Sequence, residues 1–133
     1  MSLFLCTSCN NVFDSNYIEF KKDINKDNIC PINGCSGIPF QIDELMIEPI
    51  KGLNNKGYYT LFCCSGHIYD RGNPYIKFYE SIDSAPESWY IDYTNNSIRH
   101  NLISEINTKE RVLELADINT KLMEWVTNLK PKK

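Results

Sequence analysis

Apolar residues fall in short runs over most of this chain and then recur at helical spacing towards its end. Leu3 to Leu5, Val12 with Phe13, and Tyr17, Ile18 and Phe20 are strand-like runs, residues 21–28 are polar and predict a loop, and residues 38–42 read as a closing strand. Residues 43–56 predict a helix. Asp43 is a suitable N-cap, Leu45, Met46, Ile50 and Leu53 give a partial apolar face, and Gly57 stands where a left-handed C-terminal residue belongs. Pro49 moves the expected start towards Glu48, with the proline in the first turn. Residues 58–64, rich in aromatics, predict a buried strand, and residues 75–80 an alternating strand that can pair back on it. Residues 89–94 and 97–102 flank Asn95 and Asn96, a pair suited to a tight hairpin. Val112, Leu115, Ile118, Leu122, Trp125 and Leu129 recur at threes and fours in a helix over residues 108–129, with Asn107 and Glu110 at capping-box spacing. Asp117 and Asn119 are possible interruptions. The stripe reads most simply as core packed across the sheet.

Cysteine spacing changes this picture most. Cys6 and Cys9 form a C-x2-C pair, Cys30 and Cys35 a C-x4-C pair, and about twenty residues separate the two. A tetrahedral metal ion takes four thiolate ligands, and two tight turns can each supply two of them. Pro31 and Gly34 suit such a turn, because proline presets one backbone angle and glycine accepts the left-handed one. One structural zinc ion is therefore expected on Cys6, Cys9, Cys30 and Cys35. A disulfide pair or buried free cysteines are the competing readings, and neither accounts well for the pairing.

Ligand spacing and the Cys-Pro-x-x-x-Cys-x-Gly ending of residues 30–37 resemble the zinc-ribbon superfamily over about a third of the chain. The expected architecture is then α+β: an N-terminal zinc ribbon over residues 1–42, followed over residues 43–133 by a helix, a small antiparallel sheet of about four strands and a C-terminal helix. Zinc ribbons serve many functions, so this names a metal and not an activity.

Composition and charge narrow the function classes. The 133 residues are 42% hydrophobic and 23% charged, ordinary for one soluble globular domain or a small metal module with a modest core. No apolar run approaches the ~20 residues that cross a bilayer, and the first residues lack the pattern of a signal peptide, so a cytoplasmic protein without membrane partners is expected. In a reducing compartment paired cysteines bind metal more often than they cross-link. Fourteen Lys and Arg against 17 Asp and Glu give a net charge of −3, which does not favour sequence-independent nucleic-acid binding. The basic cluster of Lys130, Lys132 and Lys133 reads as a solvated end.

Cys63, Cys64, Ser65, Gly66 and His67 form a second constellation. This segment resembles small proteins of bacteriophages and Gram-positive bacteria that carry Cys-Cys-Ser-Gly-His after a helix ending in Lys-Gly-Tyr and before a Tyr-Ile-x-Phe strand, here residues 75–78. The resemblance spans residues 43–80 and implies a phage-borne or mobile origin in a bacterial host, with no activity to transfer. Three chemical readings stand. Cys63 and Cys64 are strand residues facing opposite ways before a tight turn. Alternatively Cys64 and His67 supply half a second metal site, completed by His100 and Asp70. In the third reading Cys64 is a nucleophile with His67 or His100 as its base. An arginine six positions after Cys64, as a phosphatase loop requires, is missing: position 70 is Asp and Arg71 comes one later. The expected function is binding without catalysis, with a host protein as partner, nucleic acid as the alternative and an enzyme using Cys64 and His67 third.

Overall fold

The computed structural model describes residues 3–6, 8–14, 21–22, 28–30, 32, 34–35, 37 and 39–132. The run expected at residues 17–20 lies outside these, as do Pro31 and Ile38. Strand β1 (Leu3–Cys6) is the centre of an antiparallel sheet, with β2 (Val12–Asp14) on one side and β5 (Pro39–Ile42) on the other. The polar stretch expected to be all loop pairs at its ends: β3 (Lys21–Lys22) and β4 (Asn28–Ile29) run antiparallel, Lys21 opposite Ile29.

The first helix starts differently from the sequence expectation. A 3-10 turn, Glu44–Met46, precedes α1 (Ile47–Asn55), and Asp43 makes no side-chain cap bond. Its carboxylate instead accepts from the Ser65 amide at 3.0 Å and the Ser65 hydroxyl at 3.1 Å, tying the helix entry to the second constellation. Pro49 sits in the first turn of α1, where an amide hydrogen would have no helical partner. The helix ends as expected. Gly57 adopts φ +92°, its amide bonds to the Asn54 carbonyl, and the Tyr58 amide bonds to the Leu53 carbonyl, which together satisfy the last turn.

Strands β6 (Thr60–Cys64), β7 (Tyr75–Phe78), β8 (Tyr90–Asp92) and β9 (Ser97–Arg99) form a four-stranded antiparallel sheet in the order β6-β7-β9-β8. A bulge between Thr60 and Phe62 shifts the β6–β7 register. The β8–β9 connection is longer than the expected two-residue turn. Asp92 pairs with Ser97 across a four-residue loop, and of the two asparagines only Asn96 takes positive φ, at 51°. Asp92 closes that loop by accepting from the Thr94 amide and the Asn95 side chain.

Helix α2 (Lys109–Asn128) runs unbroken through Asp117 and Asn119, whose side-chain amide donates to the Leu45 carbonyl. Its N-cap is Thr108, one residue later than expected: the Thr108 hydroxyl accepts from the Arg111 amide at 3.1 Å, while Asn107 turns left-handed at φ 60°. The buried line is Arg111, Leu115, Ile118, Leu122 and Val126, so Val112 from the expected stripe lies exposed and Val126 takes an inward place. Nor are Lys130 and Lys132 on a free tail. The Lys132 amide bonds to the Lys56 carbonyl, Tyr58 donates to the Lys130 carbonyl, and the Lys56 ammonium donates to the carbonyls of Val126, Thr127 and Leu129. A cation at the negative end of α2 thereby joins the two helix ends.

One apolar cluster runs through Leu5 and Ile42 of the first sheet, Ile50 and Leu53 of α1, Ile76, Phe78 and Ile98 of the second sheet, and Leu122 of α2. Residues on both sides of position 42 thus contribute to one cluster. No helix among the described residues is long and apolar enough to cross a membrane.

Candidate metal centre

Both turns are built by residues that accept unusual backbone angles. Cys6 ends β1, and the chain reverses into β2 through Cys6 carbonyl to Asn10 amide (2.6 Å) and Cys6 amide to Asn11 carbonyl (3.1 Å) bonds. Asn10 makes the reversal at φ 61°, a region asparagine tolerates better than other side-chain-bearing residues. In the second turn Gly34 takes φ +85° and the Cys35 amide bonds to the Ile32 carbonyl. The Cys30 amide donates to the Gly37 carbonyl at 2.8 Å, and the Gly37 amide donates to Cys35 Sγ at 3.4 Å.

These turns bring the sulfurs of Cys6, Cys9, Cys30 and Cys35 within 4.8 Å of one another. Cys6 Sγ lies 3.7 Å from Cys35 Sγ and Cys9 Sγ lies 3.6 Å from Cys30 Sγ, so each close pair spans the two turns. All four thiols are free. A tetrahedron of sulfurs with metal–sulfur bonds of ~2.3 Å has edges of ~3.8 Å, so both contacts fit metal ligation and neither is a disulfide. Cys6 and Cys30 are fully buried, with Phe13, Phe4 and Ile32 packed around the cluster. Burial pushes the Cys30 thiol up to about 12. Cys9 goes the other way, to about 7, because bonds from Asn11 and the neighbouring thiols outweigh its burial. A soft divalent cation would displace the remaining protons and neutralise the buried sulfurs.

Two residues outside the expected set hold the first turn on the body. The Asn10 side chain donates to the Lys51 carbonyl (3.1 Å) and Asn55 Oδ1 (2.9 Å), and accepts from Asn54 Nδ2 (3.2 Å). Asn54, itself buried, accepts from the Thr60 amide and hydroxyl at the start of β6. The sequence signal for Asn10 is its place just after the second cysteine of a knuckle, where a left-handed residue is needed. Asn54 carries no such signal.

Gly37 has a sharper constraint. A Cβ there would stand 2.5 Å from Ser8 Oγ and 2.7 Å from Cys6 Sγ. Gly37→Ala should therefore weaken metal binding by about 10–100-fold, the range for residues that support a ligand. Competition against a chromogenic chelator measures this, and an unchanged affinity would mean that Ser8 moves aside without disturbing Cys6.

The second constellation is arranged differently. Cys63 faces the core and its thiol is pushed up to about 12 by burial, with Asp43 and Cys64 adding to the effect. Cys64 Sγ accepts from the Gly66 amide at 3.4 Å. Its pKa is also raised, by burial first and then by Asp43 and Asp70. His67 Nδ1 lies 2.7–2.8 Å from the two oxygens of Asp70, and that carboxylate accepts from the Gly72 amide as well. Cys64 and His67 line one open cleft with Asp43, Tyr75 and Arg99. His100 lies in another, its ring edge-on to Trp89 at 5.8 Å and its Nδ1 2.9 Å from the Asn101 carbonyl. Among the described residues the four-cysteine cluster is the one group of three or more such side chains close enough to hold a metal, and Cys64, His67 and His100 do not form another. Compared with known proteins, the chain matches no family model, no curated protein and no solved structure.

Proposed function

We propose that this chain is a zinc-stabilised binding protein without catalytic chemistry. Zinc is held by Cys6, Cys9, Cys30 and Cys35 in a zinc-ribbon module, and the α+β body carries the recognition surface. The observation that carries this reading is the four-sulfur cluster, with two cross-turn contacts of 3.6 and 3.7 Å. An all-thiolate tetrahedral set suits zinc, and with no open ligand position the ion is structural. The Cys64 thiol is raised by burial and by two carboxylates, the opposite of the lowered pKa that a nucleophilic thiol needs. The acidic balance favours a host protein with a basic surface as the partner, and the resemblance to phage and Gram-positive proteins implies the bacterial cytoplasm as the setting.

Elemental analysis of the purified protein tests the metal. About one zinc per chain is expected, unchanged in the Cys64→Ser/His67→Ala double variant. About two, falling to one in that variant, would place a second metal at residues 64–67 and return the enzyme reading.

A further inference from the structure

We propose that the cleft between the loop before β8 and the middle of α2 receives a basic side chain of a polypeptide partner. Glu87 and Asp117 pair with its charge, and Trp89 Nε1 donates to a carbonyl of its backbone. The proposal rests on the binding-protein reading and gives its basic partner a docking site.

Two loops and a helix build the cleft, whose free volume is about 380 Å³. The Trp89 amide closes a turn on the Pro86 carbonyl at 3.1 Å, with the intervening Ser88 at φ 73°, and Glu87 and Trp89 both line the cleft. Helix α2 contributes Glu114, Asp117 and Lys121, whose spacing of three and four puts them on one face. The loop before α2 adds Ile103, held there by its amide, which donates to the Glu114 carboxylate at 3.0 Å. Ile103 is 90% exposed, an apolar side chain left at the surface beside the cleft. Trp89 is only 9% exposed, yet among the described residues its Nε1 is the one buried side-chain nitrogen or oxygen without a hydrogen-bond partner. The other tryptophan, Trp125, donates to Ser84 Oγ at 2.8 Å. A buried indole N–H ordinarily has an acceptor, and a carbonyl brought in by a partner supplies one.

Charge selects the kind of partner. Glu87, Glu114 and Asp117 share the lining with one ammonium, that of Lys121. Its Nζ lies 3.4 Å from Asp117 and 3.9 Å from Glu87, longer than a close charge-assisted bond to either. Glu114 is turned to the Ile103 and Ser104 amides. Three carboxylates against one ammonium repel a phosphate or an acidic segment and attract a cation. The aliphatic stem of an arginine or lysine can pack on Ile103 while its head reaches Glu87 and Asp117. A simple amine would answer the charge but not the indole N–H. A basic polypeptide carries the cation and the carbonyl together.

Indole N–H signals of the ¹⁵N-labelled full chain test the cleft, in a preparation whose zinc content is measured. The chain has two tryptophans, and a Trp125→Phe variant identifies the Trp89 signal. Acetyl-triarginine amide is the probe, and the uncharged tricitrulline peptide of the same shape is the control. The Trp89 signal should move saturably with triarginine while the Trp125 signal stays, and tricitrulline should bind more weakly by about 5-fold or more. Glu87→Gln and Asp117→Asn, both at exposed positions, should each weaken binding by about 1.5- to 5-fold, the range for one exposed charge pair. Added salt should weaken it further. A Trp89 signal that stays still up to about 10 mM triarginine at low salt would overturn the proposal. So would equal binding of tricitrulline, or equal binding by the Glu87→Gln/Asp117→Asn double variant. Triarginine that binds without moving Trp89 removes this cleft and leaves the basic-partner reading standing. A moving Trp89 signal in protein that takes up no zinc keeps the cleft and removes the zinc reading.

Discussion

Cys6→Ser should leave purification without zinc and with the N-terminal sheet open to solvent exchange. Cys6 is fully buried, ends the central strand of that sheet, and stands 3.7 Å from Cys35 on the opposite turn. Structural zinc supplies about 10–16 kcal/mol of folding free energy in small modules, and a serine hydroxyl is a poor substitute for a thiolate ligand. Strands of three or four residues with a small apolar cluster at the sulfur end cannot replace that contribution. Cys30→Ser should act alike, and Cys63→Ser, which lies outside the cluster, should keep its metal. Elemental analysis and hydrogen exchange at Leu3–Cys6 and Val12–Asp14 make the comparison. Full zinc content in Cys6→Ser would refute the site. The body should hold together better than the sheet, because the apolar residues packed on the cluster, Phe4, Phe13 and Ile32, all come from the N-terminal segment, but α1 should lose protection near Lys51 and Asn55, where Asn10 docks.

The second large effect is expected from Arg111→Met. Arg111 is 4% exposed, and its guanidinium donates to the carbonyls of His67 (2.7 Å), Asp70 (3.1 Å) and Ser104 (2.6 Å) and to the Ser104 hydroxyl (3.1 Å). It thus ties the loop after β6 and the loop before α2 to the first turn of the helix. Methionine fills similar volume but leaves three carbonyls without that donor, each costing about 1–3 kcal/mol where water cannot reach it. A loss of about 3 kcal/mol, or on the order of 10 °C in melting temperature, is expected. Lysine should not rescue it, since a single ammonium cannot reach all four acceptors in the planar arrangement of a guanidinium. Glu114 adds to the same network by accepting from the Ile103 and Ser104 amides and the Ser104 hydroxyl. Those bonds outweigh its burial and hold its carboxyl below the ordinary value. Denaturant titration reads the change, and a loss under about 1 kcal/mol would mean that the loops re-solvate their carbonyls freely.

How much of this was legible depends on the range of the interaction. Gly57 announced the end of α1 because the left-handed turn is a property of one residue and its immediate neighbours. The cysteine spacing announced the cluster for the same reason: each turn is local, and only the meeting of two turns is not. The cap of α2 was misplaced by one residue because Asn107 and Thr108 are both good caps. The choice was made by the Asn107 amide bonding to the distant Ile68 carbonyl. Asp43 failed as a cap because Ser65, twenty-two residues on, competes for its carboxylate. Arg111 on the buried line of α2 was invisible to hydrophobic periodicity, since its burial is compensated by carbonyls contributed from two loops.

The sequence by itself determined the strand and helix segments of the body and the four cysteines of the cluster, because periodicity, turn residues and paired cysteines act within a few residues. Tertiary structure alone decided the rest. It left His100 out of any metal-holding group with Cys64 and His67 and tied the backbone of Lys130 and Lys132 to Tyr58 and Lys56 just after α1. Those outcomes depend on strand register and on hydrogen bonds between residues far apart in the chain, and no local pattern encodes which of the competing partners is reached.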